Sequence, residues 1–114
     1  MNANQGFKLH PGAVQDIAEI WEFIAEDSPF SANRVSDEIL DAASNLVTFP
    51  LLGHARSDLT LRPLRFIVVQ DFLVAYAPDE KPIVVIEVLH GRRNPRLLGA
   101  IPRDRHILPP DLEF

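Results

Sequence analysis

Cysteine is absent from the 114 residues, which removes disulfides and thiolate metal sites together and suits a reducing compartment. Lysine is nearly absent too, with only Lys8 and Lys81, so any cationic surface has to be built from arginine. No long apolar run exists: residues 66–69 and 83–86 are far shorter than the roughly 20 residues of a membrane-spanning helix. The opening MNANQGFK lacks the basic region and apolar stretch of a secretory signal. No internal repeat or low-complexity segment interrupts the chain. These absences predict a soluble, cytoplasmic protein folded as one domain over residues 1–114, with no cofactor and no metal site. A chain of this length buries roughly two-thirds of the surface its unfolded form exposes.

The charge that is present is unevenly spread. The formal net charge is −5, and residues 1–50 carry Lys8 and Arg34 against eight acids. Arg56, Arg62, Arg65, Arg92, Arg93, Arg96, Arg103 and Arg105 all follow position 50. An acidic first half and an arginine-dotted second half permit a local cationic face on an acidic protein. The overall sign argues against indiscriminate binding to nucleic acid.

Local patterns predict an α+β domain in the order β-α-α-β-β-β. Phe7-Lys8-Leu9-His10 alternates as a short strand, and Pro11 suits the first position of a helix. Ile17, Ile20, Trp21 and Ile24 then recur on one helical face, opposite Asp16, Glu19, Glu22 and Glu26, to an end near Asp27. Trp21 is therefore expected in the core. Ser28-Pro29 caps and starts a second helix through Val35, Ile39 and Leu46 until Pro50 stops it, and the short link makes the pair a hairpin. Residues 50–58 read as a loop. Residues 65–69 and 72–77 read as strands joined by Gln70-Asp71, and residues 83–89 as a central strand with both faces covered. Such elements give a helical hairpin packed on a mainly antiparallel sheet. The core is expected over about residues 7–98, with 99–114 as an extended tail and a short helical turn near 95–100.

The stretch IVVIEVLHGRRNP at 83–95 changes character abruptly: a buried strand ends at Leu89 and a polar cluster follows. Gly91 lets the backbone turn away, so that His90, Arg92 and Arg93 are expected at the rim of the sheet.

Several longer segments carry a resemblance: FKLHPGAVQDIAEIWEFIAEDSP at 7–29, LVTFPLLGHARSDL at 46–59, LRFIVVQDFLVAYA at 64–77 and IEVLHGRRN at 86–94. In combination they resemble the RelE/ParE superfamily, the toxin halves of bacterial type II toxin–antitoxin pairs, and are closer to its ParE branch. The resemblance implies a growth-inhibiting toxin with a role in plasmid stabilisation, held silent in a hetero-oligomer by a cognate antitoxin. RelE-type members cleave messenger RNA in the ribosomal A site, whereas ParE-type members poison DNA gyrase without chemistry of their own. The fold alone does not choose between these.

Cleavage of RNA by its 2′-hydroxyl needs a proton acceptor, a proton donor and cations for the charge on the phosphorane. A RelE-like site would draw these from Arg65, Tyr76, His90 and Arg92. The same residues have plainer readings. His90 suits a strand end bonded to nearby backbone, and Tyr76 suits the core with its hydroxyl at the edge. Arg65 suits an ion pair with Asp16 or Glu19. Arg92 and Arg93 read equally as solvated or antitoxin-facing charge and as contacts with a target. Scarce lysine and an acidic chain weigh against docking on ribosomal RNA. The favoured expectation is a ParE-like gyrase inhibitor with His90, Arg92, Arg93 and Arg65 as target contacts and no catalytic residue. A ribosome-dependent endonuclease is the alternative, and an inactive homologue that retains only antitoxin binding is the third.

Overall fold

Prolines start both helices and a two-residue turn closes the first strand hairpin, so local chemistry sets most of the element boundaries. A computed structural model describes residues 6–90. It contains β1 (Phe7–Leu9), α1 (Pro11–Ala25), α2 (Pro29–Thr48), β2 (Arg65–Val69), β3 (Phe72–Ala77) and β4 (Ile83–His90), the expected order. The Gly91 turn, the rim arginines Arg92 and Arg93, the helical turn near 95–100 and the tail lie outside the described residues.

Each helix has a side-chain cap. Ser28 Oγ accepts from the Ser31 N–H at 3.1 Å, as its position ahead of Pro29 implied. At the start of α1 the cap is an imidazole: buried His10 accepts from the Gly12 N–H through Nδ1 at 3.0 Å. α1 stops at Ala25, two residues before the expected end.

The sheet runs β1-β4-β3-β2, with β1 parallel to β4 and the other pairs antiparallel. β4 is interior, as its apolar run suggested, and so is β3, all six of whose residues are buried. On one face Val74, Tyr76, Val85 and Val88 form a core with Ile39 and Leu46 of α2. On the other, Leu73, Ala75 and Ile86 pack with Leu59 and Leu64 from the stretch before β2. Ala75 lies opposite Glu87 and Tyr76 opposite Val85, so Ile86 is the extra residue of a bulge in β4. The β2–β3 turn puts Gln70 at φ 55°, and its side-chain amide donates to Glu38 of α2 at 2.6 Å.

β1 covers the edge of β4 only as far as Val85, whose carbonyl accepts from the His10 N–H at 2.9 Å. Beyond that the chain has turned into α1, and a helix backbone offers nothing to a strand edge. Asp16 supplies the partner, its carboxylate accepting from the Val88 N–H at 3.0 Å. This contact satisfies a ladder donor that β1 is too short to reach.

Trp21 departs from expectation. Ile17, Ile20 and Ile24 pack against the core, but Trp21 is 37% exposed and its indole N–H donates to Asn33 Oδ1 at 2.8 Å. It occupies the α2 side of the apolar stripe, where a large ring lies across the groove between the helices instead of beneath it. Replacing Ile39 with Ala is therefore expected to cost about 3 kcal/mol. Trp21→Ala is expected to cost about 1 kcal/mol, the scale of one partly exposed hydrogen bond and its packing. Urea unfolding of the two variants checks this, and equal losses would return Trp21 to the core.

Candidate functional site

The polar side chains marked by the sequence collect at the two ends of the sheet. At one end Arg65 opens β2 directly opposite Tyr76 of β3. Tyr76 is fully buried. Its hydroxyl donates to the Pro50 carbonyl at 2.8 Å and accepts from the Gly53 N–H at 2.9 Å. Arg65 Nη1 donates to the Gly53 carbonyl at 2.6 Å, with a longer contact of 3.4 Å to that of Leu51. His54 then pairs with Phe66 through reciprocal backbone bonds of 3.0 and 2.9 Å. A Cβ on Gly53 would stand 2.6 Å from the Phe66 carbonyl oxygen and 2.8 Å from the Tyr76 hydroxyl, so only glycine fits. This close approach accounts for the glycine of the Phe-Pro-x-x-Gly loop. The anchored backbone leaves Phe49, Leu51 and Leu52 exposed.

Burial pushes the Tyr76 hydroxyl above the usual phenol range, although the Gly53 N–H and the Arg65 charge oppose the shift. A phenol enclosed in this way has no face for a base and no open proton path. The hydroxyl expected at an edge is inside, acting as a tie for the loop. Arg65 likewise holds loop carbonyls instead of Asp16 or Glu19. The reason is position: Asp16 bonds β4, two strands away from β2.

His90 stands at the other end. It is the last residue of β4, one beyond the expected strand end at Leu89, and pairs with Phe72. Its ring meets the Phe72 ring edge-on, with centroids 5.2 Å apart and planes at 73°. Both line a cleft of about 550 Å³ with Ile20 and Ile24, which Asp16, Glu19 and Asp71 also border. His90 is level with Val69 of β2, four residues along from Arg65. At ordinary strand rise and spacing their backbones are roughly 16 Å apart. Arg65, Tyr76 and His90 therefore do not converge on one reacting group.

Among the described residues no arginine lines the cleft beside His90. Arg56 is tied to Asp58 by bonds of 3.0 and 2.8 Å, which hold the Asp58 carboxyl below the usual carboxylate range. Arg62 is half-buried in the stretch before β2. Among the described residues no cluster of His, Asp or Glu is arranged to hold a metal, and no helix is long and apolar enough to cross a membrane. The loop ties at Pro50 and Gly53 and the Asp16 link to Val88 are features that residue patterns did not reveal. The glycine of the loop motif was the available clue to the first.

The family model for the ParE toxin of the type II toxin–antitoxin system parDE matches residues 7–95. The chain belongs to the ParE toxin family. Toxin ParE2 of Mycobacterium tuberculosis, in strains CDC 1551 / Oshkosh and ATCC 25618 / H37Rv, is 27% identical over 99 residues, covering 82% of this chain and 88% of that relative. A solved chain titled as the chromosomal ParDE TA system from P. aeruginosa shares the fold with a TM-score of 0.62 at 16% identity. That match covers 74% of this chain and 92% of the other. The ParE assignment agrees with the order of elements and with the helical hairpin on a mixed sheet.

In this ParE-family chain Tyr76 is the single tyrosine, so its titration can be followed without interference from another phenol. Tyr76→Phe leaves the buried Gly53 N–H without its acceptor and is expected to cost about 1–3 kcal/mol. Because the hydroxyl pKa is higher in the folded chain than in the unfolded one, folding retains a proton between the two values. The associated stability is complete below pH ~10 and falls as pH rises through the folded value. Denaturant melts across alkaline pH, with phenolate absorbance recorded alongside, should find that decline in the wild type and a shallower one in Tyr76→Phe. Parallel declines, or phenolate forming in the intact fold at the pH of free tyrosine, would contradict the buried tie.

Proposed function

We propose that this ParE-type toxin acts in the cytoplasm by inhibiting DNA gyrase, and that a cognate antitoxin binds and silences it. The observation that carries the choice of gyrase over messenger RNA is the separation within the sheet. Arg65 and Tyr76 anchor a loop at one end, while His90 lies roughly 16 Å away at the other. Cleavage of RNA would need an acid, a base and cations within reach of one phosphate. Inhibition by contact needs only a surface. His90, Arg92 and Arg93 remain the proposed target contacts, whereas Arg65 has a scaffolding role. The family match supports both the toxin reading and an antitoxin partner. A place in plasmid stabilisation accords with such a pair.

Expression from a tight promoter tests the reading. The double variant Arg92→Ala with Arg93→Ala should relieve growth arrest at matched soluble protein, with retained antitoxin binding as the check that the variant is folded. His90→Gln, which keeps a hydrogen-bonding side chain but cannot cycle a proton near neutral pH, should remain toxic. Gyrase-dependent DNA breaks should accompany arrest while ribosome-bound messages stay intact. Message cleavage lost by about 10²-fold in His90→Gln, with no gyrase effect, would establish the endonuclease instead. Absence of arrest with antitoxin binding retained would establish an inactive homologue.

A further inference from the structure

We infer that the cleft between α1 and the sheet, where β3 begins and β4 ends, is an intramolecular binding site for this chain's own arginine segment, residues 92–98. β4 delivers the chain to that cleft: His90 is its last residue and lines the cleft with Leu89 and Phe72. Ile20, Ile24 and Val88 add to an apolar lining, and Phe23 among them is 61% exposed, so apolar surface remains for a further segment to cover. Carboxylates border it. Asp16 is fixed there by accepting from the Val88 N–H at 3.0 Å, Glu19 follows one turn later on α1, and Asp71 stands in the β2–β3 turn.

Charge and reach select the occupant. Residues 91–98 read GRRNPRLL, three cations and two leucines with no acid. They start directly after His90, so the segment meets the cleft without crossing another element. The α1 side from Asp16 to Ile24 is about 12 Å long, a distance that about four extended residues cover. Arginine forks match carboxylates, and their stems, with the leucines, cover apolar side chains. The tether keeps the segment at a roughly millimolar effective concentration, which a second copy at micromolar protein does not match. The inference goes beyond the gyrase reading and is independent of it, because a seated segment fixes the direction in which Arg92 and Arg93 are presented to either target.

The test digests the full chain with an arginine-specific protease and follows each cut by mass spectrometry, beside a synthetic peptide of residues 88–100. Only the released segment is cut, so the rate follows its population. Cuts after Arg93 and Arg96 should be about 10-fold slower in the wild type than in the peptide. Glu19→Lys with Asp71→Lys should speed both by about 10-fold, and Phe23→Ser by about fivefold. Glu22→Lys with Asp79→Lys, the same charge change at exposed positions that do not line the cleft, should leave them within about twofold. Arg34 lies inside α2 and is cut only when the domain opens, so it reports folding in the same digest. A variant cut there is replaced by the milder Glu19→Gln with Asp71→Asn, or by Phe23→Ala. Cuts as fast in the wild type as in the peptide, or unchanged in either cleft variant, would overturn the inference. Protection that is lost on dilution, together with a dimer in sedimentation, would give the cleft to the segment of a second copy instead.

Discussion

Burial of β3 and β4 on both faces is the constraint on which the rest of the structure depends. Two adjacent apolar strands need cover above and below, supplied by the helical hairpin on one side and by Leu59 and Leu64 on the other. Polar groups tolerated inside such a sheet must have partners, and the sheet ends are where a loop or a helix side chain can reach them. Tyr76 and Arg65 meet the Pro50–Gly53 loop at one end. Near the other, Asp16 reaches the Val88 N–H where β1 has run out.

The same constraint separates scaffold from surface. A sequence containing arginine, tyrosine and histidine near the ends of strands permits a phosphate-cleaving site on paper. In the folded sheet Tyr76 and Arg65 organise a loop, and the side chains freed by that organisation are Phe49, Leu51 and Leu52. A preorganised apolar display suits contact between proteins because less order has to be gained on binding. The helical hairpin presents a chemically different surface, apolar along its seam and acidic at its flanks. One small domain thus presents two chemically distinct surfaces.

The order of elements was legible because its signals are local. Pro11, Ser28-Pro29, Pro50 and the Gln70-Asp71 turn mark boundaries, and periodicity separates the helices from the strands. Trp21 was misread because a helical stripe does not reveal which of its margins faces a neighbouring helix. Asp16 read as part of the polar face because contact with a strand 72 residues later in the chain leaves no mark on helical periodicity. The roles of Arg65 and Tyr76 depend on how the 50–53 loop folds back, although Gly53 hinted at a close approach. His90 was placed near the correct end of β4, but its position beside Phe72 in a carboxylate-bordered cleft required the antiparallel register.

Tyr76 is a structural tie, and the gyrase inhibition proposed for this toxin is assigned to a contact surface. The most direct measurement is inhibition of purified gyrase supercoiling by the wild type and by Tyr76→Phe, at a temperature where both are fully folded and with the 50–53 loop checked by amide hydrogen exchange. Equal inhibition per folded molecule is the predicted result. Loss of inhibition with the fold and loop unchanged would assign the hydroxyl a direct functional role, and failure of the wild type to inhibit gyrase while it cleaves ribosome-bound message would contradict the contact mechanism altogether.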